Sequence, residues 1–375
     1  MRYYVIAGEA SGDLHASRLI RAIKQNDANA SIRAWGGDLM ENEGVALVKH
    51  YKDLAFMGFT EVLLNLRTIL SNMKFCKKDM LEFKPDVVIF VDYPGFNIPM
   101  ATFAKKNGFK TAYYISPQIW AWKEKRVHTI KKVVDKMMVI LPFEKDFYKK
   151  WNYDVEYVGH PLIEIIDGFR DSSNVEKIKK EIGLIENKKV IALLPGSRIQ
   201  EIKKKLPVML EATREFPDLL FILAQATSLS DDLIKQYTKD YPNVRVIKNQ
   251  TYELLSIADA ALVTSGTATL ETALFNVPEV VCYKGSPISY QIGKRLIKVP
   301  FIALVNLIMG KKVVQELIQD ELTSMNIKKE LQKILYQGPE RESMIKDFNN
   351  LHSLLSAGGS ASYKAAEVIK ELVIE

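Results

Sequence analysis

The sequence predicts an α/β protein built of two Rossmann-like domains, each with a parallel sheet, facing a central cleft. Three observations carry this expectation. A chain of 375 residues exceeds one ordinary core and suits two α/β domains. Short apolar runs of strand length alternate with amphipathic stretches throughout, the pattern of repeated βαβ units. The alternation lapses over the polar, Gly-containing stretch from Asp167 to Lys177 and begins afresh at Lys189. That stretch reads as an interdomain linker. The expected domains are residues 1–166 and 178–344, with a terminal helix within 345–375 packing back on the first.

Composition narrows the function classes. The formal charge is +7, a modest basic excess that suits nucleotide, phospholipid or nucleic-acid partners without choosing among them. Only Cys76 and Cys282 are present, in no C-x-x-C spacing, which speaks for a reducing compartment and against a zinc site. Met1-Arg2 leads straight into a strand, so no signal peptide is expected. No apolar run is long enough to span a bilayer. A cytosolic protein able to touch a membrane surface is the expectation.

In the first half, Tyr3 to Ala7 reads as a buried strand. Gly8-Glu9-Ala10-Ser11-Gly12-Asp13 then turns into a helix with Leu14, Leu19, Ile20 and Ile23 on one side. The turn is not G-x-G-x-x-G, and its two acids ill suit a pyrophosphate cradle. A sugar or another hydroxyl-bearing group fits better; helix capping by Ser11 or Asp13 is the plain alternative. Ser31 to Trp35 is a second strand. Met57 to Phe75 reads as a helix with Val62, Leu63, Leu66, Ile69, Leu70 and Met73 on one face, more often a core stripe than a membrane contact. Leu64, Phe75 and the lysines at 74, 77 and 78 leave room for an interfacial helix.

Pro85 to Val91 is a continuous apolar run, a central parallel strand. Asp92 ends it, and Tyr93 to Asn97 turns into a helix capped by Asn97. Ligands of open α/β sheets lie at the carboxyl ends of strands, so Asp92 is a candidate general base. The alternative is an Asx-turn acid shaping the Pro-Gly loop. Lys110 to Ile115 is the next strand, leading to Trp120-Ala121-Trp122 and to Lys123, Lys125 and Arg126. Two Trp beside three cations suit an acceptor with a phosphate and apolar chains, or equally a buried Trp and a solvated basic helix. Lys136 to Ile140 and Val155 to Val158 are further strands, the second ending at Gly159-His160-Pro161.

In the second half, the strand from Lys189 to Leu194 runs into Pro195-Gly196-Ser197-Arg198 and a helix with Glu201 in its first turn. Leu219–Leu223, Val244–Ile247, Ala260–Val263 and Glu279–Cys282 complete a second sheet. After Val263, Ser265-Gly266-Thr267 forms a small-residue turn into a helix from Ala268 to Phe275, closed by Asn276 and Pro278. Such a turn offers unpaired backbone N–H groups to a phosphate, and Gly266 permits close approach. Glu271, one turn in, suits a ribose diol. This reads as half of a nucleotide-diphosphate-sugar site; an ordinary βα turn is the alternative. Helix-terminus electrostatics supply only ~0.3–1 kcal/mol in most settings, so a guanidinium such as Arg198 is the stronger anion partner. Its plain alternative is a surface ion pair with Glu201. Ile302–Val305 leads to Asn306, Val313 to Gln319 reads as another helix, and Ser360 to Val373 as the last. No Asp-x-Asp triplet occurs, so a metal-free sugar transfer is expected.

Taken together and in order, these pieces resemble the lipid-A-disaccharide synthase family, inverting glycosyltransferases of the glycosyltransferase-B type. The matching pieces are Gly8–Asp13, Met57-Gly58 with Glu61-Val62-Leu63, Asp92 with Pro94 and Phe96-Asn97, Ser116-Pro117 with Trp120–Trp122, and Gly159–Pro161. Leu194–Arg198 with Glu201-Ile202, Ser265–Glu271, Asn306, and Glu316 with Gln319 complete the set. Gly95, Lys123 and Gln315 depart from the family pattern, so no role is carried over to position 95, and Asp92 is untouched.

The resemblance implies a reaction between UDP-2,3-diacylglucosamine and 2,3-diacylglucosamine 1-phosphate that gives a β-1,6-linked lipid disaccharide and UDP. Asp92 would take the acceptor proton, with Glu9 and Asp13 completing the catalytic set. Gly196, Ser197, Arg198, Glu201, Ser265, Gly266, Thr267, Glu271, Asn306, Glu316 and Gln319 would hold the nucleotide sugar. Ser11 and Gly12 would meet the acceptor; Trp120, Trp122 and Arg126 are assigned to it as well, from the two Trp beside cations and not from the resemblance. Acylated substrates make a membrane contact through Val62, Leu66, Ile69, Leu70 and Met73 more plausible than periodicity alone did. No cofactor or metal and no nucleic acid is expected; the partners are the two sugars, the cytosolic face of the inner membrane and a homodimer partner. A UDP-N-acetylglucosamine 2-epimerase of the same plan is the second reading, and a basic nucleic-acid-binding module a distant third.

Overall fold

The computed structural model describes residues 1–53, 66–184, 188–286, 290 and 299–374. The chain forms two compact units, Met1–Pro161 with Leu355–Glu375, and Leu162–Leu354.

The first unit holds seven strands: β1 (Arg2–Ala7), β2 (Ser31–Gly36), β3 (Ala46–His50), β4 (Val87–Val91), β5 (Lys110–Tyr114), β6 (Lys136–Val139) and β7 (Glu156–Tyr157). Their order is β3-β2-β1-β4-β5-β6-β7, and every pairing is parallel. The run Val-Val-Ile-Phe-Val is buried on both faces, as a central parallel strand requires. Tyr3, Val5 and Ala7 pack against the Ala10–Asn26 helix and the C-terminal Ala361–Ile374 helix; Tyr4 and Ile6 face Trp35, Cys76, Met80 and Met100. The terminal helix is thus part of the first unit, and Lys110 Nζ donates to its Leu372 carbonyl at 2.8 Å. Its entry needs glycine: a Cβ on Gly358 would lie 2.5 Å from the backbone of Gly159. His160, next to that crossing, is buried, and burial with the neighbouring His15 lowers its pKa to about 3.

The second unit holds β8 (Val190–Leu194), β9 (Leu220–Gln225), β10 (Val244–Lys248), β11 (Ala260–Thr264), β12 (Glu279–Tyr283) and β13 (Gln315–Ile318), in the order β10-β9-β8-β11-β12-β13, again all parallel. Strand for strand, this is the winding of the first six strands of the other unit.

Four expectations are corrected. Residues 167–177 are no irregular linker: the Pro161–Ser172 helix runs through Asp167, and Lys177 lies in the Val175–Glu181 helix. Phe169 anchors the first of these against Tyr252 and Phe275, an apolar spacing (Leu162, Ile166, Phe169) that Gly168 interrupts. The expected helix over 313–319 is the edge strand β13, because Gln315 to Ile318 pair with Val280 to Tyr283. Asn97 does not cap its helix, which starts at Pro94 with Tyr93 at the cap position.

The fourth concerns the helix expected over 57–75. The described helix spans Leu66–Phe83, and Met57-Gly58 and Glu61 to Leu64, with Val62, lie outside the described residues. Its inward face is Asn72, Cys76, Asp79 and Met80. Asp79 fixes that rotation by accepting from Tyr4 Oη at 2.7 Å and pairing with Arg33. Leu66 and Leu70, expected in the stripe, are 47% and 57% exposed, while Ile69 is half-buried and Met73 packs on the core.

Candidate functional site

In each sheet the strand order reverses at one point, between β1 and β4 and between β8 and β11. Loops leaving such neighbours go to opposite faces, and the crevice beyond their carboxyl ends is where ligands bind. The loops singled out in the sequence stand at these two points.

In the first unit, β4 ends in two consecutive left-handed residues, Asp92 (φ 45°) and Tyr93 (φ 48°). Non-glycine residues in this region cost of order 1–3 kcal/mol each and persist only where the surroundings hold them. Here they are held. The Asp92 carbonyl accepts from Tyr113 Oη at 2.5 Å and from Asn97 Nδ2 at 2.7 Å, and the Asp92 N–H donates to the Tyr114 carbonyl at 3.1 Å. Asn97 Nδ2 also reaches the carbonyls of Val91 (3.2 Å) and Ile6 (3.4 Å), tying the ends of β4 and β1. The Tyr93 ring lies over Gly8, where a Cβ would sit 2.1 Å from it. Burial, then the negative charge of Glu9, raise the Asp92 carboxyl pKa to about 6, against a lowering hydrogen bond from the Tyr93 backbone. A carboxylate tuned toward neutrality is what proton abstraction from a hydroxyl needs.

Asp92 lines a cavity of about 250 Å³ together with Ser116, Trp122, Lys123, Arg126 and Glu144. Lys123 Nζ stacks 3.9 Å over the Trp122 ring. Trp120, by contrast, is buried edge-on against Phe143 and does not line the cavity. Glu144 was missed in the sequence. Its buried carboxylate accepts from the backbone N–H of Leu141 (3.0 Å) and Ile140 (3.3 Å), and burial raises its pKa to about 7. Pro142 at the helix start with Glu144 two residues on was the available signal.

The other acids and small residues of the first turn divide. Glu9 is half-buried and close enough to act on Asp92. Asp13 is buried and its carboxylate accepts three backbone N–H groups, from Gly37 (2.8 Å), Met40 (3.1 Å) and Leu39 (3.1 Å). It braces the start of the Asp38–Asn42 helix, so its oxygens are committed to structure. Ser11 is exposed, and Gly12 packs against Ala7 of β1; neither lines the cavity.

In the second unit, a cavity of about 410 Å³ is lined by Gly196, Ser197, Arg198 and Glu201 after β8 and by Ser265, Gly266, Thr267 and Glu271 after β11. Gly196 (φ +107°) and Gly266 (φ +141°) adopt backbone that only glycine takes readily. Nothing lies within 4 Å of a Cβ placed on Gly266, so the way to the start of the Thr267–Leu274 helix is open. Ser265 Oγ donates to the Ile302 carbonyl at 3.0 Å. Glu271 is held by Tyr252 Oη at 2.8 Å, and burial raises its pKa, with Tyr252 pulling the other way.

Asn306, Glu316 and Gln319 do not line this cavity; they brace its wall. Glu316 accepts from the N–H of Ala303 (2.9 Å) and Ile302 (3.1 Å) and from Asn306 Nδ2 (3.0 Å). Asn306 Oδ1 accepts from Val313 and Val314, and Gln319 Oε1 from the Gly285 N–H. Through Ile302 this network ends on Ser265. Among the described residues no cluster of His, Cys, Asp or Glu could hold a metal ion, and no helix is long and apolar enough to cross a membrane.

Two parallel-sheet units wound alike, one with its cavity beyond the ends of β4, β5 and β6 and the other with its cavity at the β8/β11 switch point, define the class: the glycosyltransferase-B type of architecture. Solved structures of this plan include a UDP-GlcNAc 2-epimerase from Neisseria meningitidis (TM-score 0.70, 12% identity, all of both chains) and the kitacinnamycin glycotransferase (TM-score 0.67, 14% identity, 99% and 98% of the chains). At these identities they establish the fold alone. The sequence goes further. The model of the lipid-A-disaccharide synthetase family matches residues 3–372, and the chain belongs to that family. It is 43% identical to the lipid-A-disaccharide synthase of Syntrophus aciditrophicus over 96% of this chain and 95% of that protein, and 40% identical to that of Coxiella burnetii over 98% of both.

Proposed function

We propose that this chain joins UDP-2,3-diacylglucosamine to the 6-hydroxyl of 2,3-diacylglucosamine 1-phosphate, forming the β-1,6 lipid disaccharide and releasing UDP. The observation that carries the reading is the division of chemistry between the two switch points: a carboxylate raised to about 6 at one, and an arginine beside an open glycine turn at the other. Asp92 accepts the proton as the 6-oxygen attacks the anomeric carbon. The bond from that carbon to the UDP oxygen breaks, and its electron pair leaves with the diphosphate. Arg198 and the backbone N–H groups of the Ser265–Thr267 turn stabilise that charge. Glu271, held by Tyr252, meets the ribose diol.

The cavity beside Asp92 suits the acceptor, with the acid at one part of its lining and Lys123 and Arg126 at another for the 1-phosphate. Glu9 acts on Asp92 by its charge rather than by touching the reacting atoms. Leu66 and Leu70, exposed beside Arg67 and Lys74, give the Leu66–Phe83 helix a face suited to resting on a lipid surface. That supports peripheral attachment to the inner membrane, as two acylated substrates would favour.

The test is the linkage of the product. Nuclear magnetic resonance of the disaccharide made from both sugars should show a β-configured 1→6 bond. An α linkage, or release of free sugar with no disaccharide, would contradict the proposed attack.

A further inference from the structure

A buried lysine stands behind the cavity of the second unit. Lys205 lies one turn beyond Glu201 on the Ile199–Thr213 helix, and its side chain is 3% exposed. Nζ donates to Thr264 Oγ1 at the end of β11 and lies 3.8 Å from Glu201 Oε2. The other oxygen of Glu201 is 3.6 Å from Arg198 Nη1. Glu201 also leans on the glycine turn: a Cβ on Gly196 would come within 2.2 Å of its Oε2. One carboxylate therefore sits between two cations, one buried behind it and one in front that is 67% exposed.

The two cations differ in exposure. Lys205 is enclosed and tied to β11. Arg198 is mostly in water, where an ion pair contributes little, so its guanidinium can leave Glu201 for a better anion at small cost. A diphosphate entering the cavity offers that anion with bidentate geometry. Once Arg198 has moved, Glu201 is an acid facing phosphate oxygens unless something cancels its charge.

We infer that Glu201 parks Arg198 before a diphosphate enters the cavity and that Lys205 neutralises Glu201 when the guanidinium turns to the pyrophosphate of UDP. Lys205 is a positioning residue: Thr264 and Glu201 separate it from the ligand. Burial lowers its proton affinity and the Glu201 charge restores part of it. The inference rests on the reading that UDP occupies this cavity.

The experiment is calorimetric titration of the full-length protein with UDP, alongside uridine binding by ligand-observed nuclear magnetic resonance. Lys205→Met should weaken UDP at least tenfold and change uridine less than twofold, because only the diphosphate meets the uncovered charge. Adding Glu201→Gln to that variant should bring UDP back to within threefold of the unaltered protein. Glu201→Gln alone should bind UDP at least as tightly as the unaltered protein, which keeps the inference testable if Lys205→Met does not fold. Unchanged UDP affinity in Lys205→Met, equal loss of uridine, a double variant as weak as the single one, or a tenfold loss in Glu201→Gln would overturn it. Arg198→Ala separates the two levels: UDP binding unaffected by it refutes the cavity as the UDP site, whereas UDP lost in Arg198→Ala but kept in Lys205→Met refutes the relay alone.

Discussion

The hydroxyl of Tyr113, on β5, donates to the backbone carbonyl of Asp92 at 2.5 Å. The hydrogen bond crosses between neighbouring strands and grips the first of two left-handed residues. It joins a buried ring to the loop that carries the proposed base. Tyr113→Phe keeps the ring and leaves the Asp92 carbonyl with Asn97, so the protein should fold at a cost of about 0.5–1.5 kcal/mol. Turnover should fall roughly ten- to a hundredfold as the carboxylate loses its setting, with UDP affinity unchanged by titration. Equal loss of both would point to a collapsed fold rather than a displaced base.

The acidity of Asp92 sets an expected pH profile. A base must be ionised, so kcat/KM should fall on the acid side with a midpoint near the raised value of about 6. Glu9→Gln removes the neighbouring negative charge, the second cause of that rise, and should move the midpoint to lower pH. The stability sign is also fixed. The folded form holds this proton more tightly than the unfolded chain does, so the group's contribution is greatest below the unfolded value of 3.8 and is lost as pH rises through about 6. Glu9→Gln should lessen that loss, as read by denaturant melts at pH 4 and pH 7.

Glu279 supplies a prediction about stability alone. It opens β12, is fully buried, and neither carboxylate oxygen has a hydrogen-bond partner among the described residues. Burial raises its pKa well above the ordinary carboxyl value of 4.5, so the folded state is penalised as pH rises through the unfolded value and beyond. Glu279→Met should stabilise the protein by about 1–3 kcal/mol at neutral pH, the usual cost of a buried unsatisfied polar group, and flatten the pH dependence. Lower stability in the variant would mean that the carboxylate has a role in the fold.

The outward face of the Leu66–Phe83 helix is the place to test lipid contact. Leu66→Ser with Leu70→Ser removes two exposed side chains and should change folding stability by less than about 0.5 kcal/mol, as for most surface substitutions. Sedimentation with anionic vesicles should drop several-fold while the thermal midpoint stays put. Unfolding of the variant, or undiminished sedimentation, would remove this face as the contact.

Much of this was legible from residue order, and what was not has physical causes. The runs at Val87–Val91 and Ala260–Val263 are buried on both faces, so hydrophobicity alone marked them as central strands, and the residues after them marked the switch-point loops. Asp92 could be singled out because a lone acid follows such a run. β13 was hidden because this edge strand carries the polar Gln315 and Glu316, and Glu316 is buried by bracing the backbone at Ile302 and Ala303. Lys205 and Glu144 stand among other charged residues, in Lys203-Lys204-Lys205 and Glu144-Lys145-Asp146, so nothing in the residue order sets them apart. Their partners, Thr264 and the backbone at Ile140 and Leu141, are supplied by tertiary structure and by a tight helix entry. Asp13 showed as an acid near a ligand loop, and only the fold reveals the three N–H groups that occupy it.

The central claim is that Asp92 takes the acceptor proton while the second unit holds UDP. Its most direct test measures UDP release with each diacylated sugar alone and with both, in the unaltered protein and in Asp92→Asn. Release should require both sugars and should fall by roughly 10²–10⁴ in Asp92→Asn, the usual worth of a general base, with UDP still bound as tightly. Normal turnover in Asp92→Asn, or UDP released from the donor sugar alone at the full rate, would contradict it.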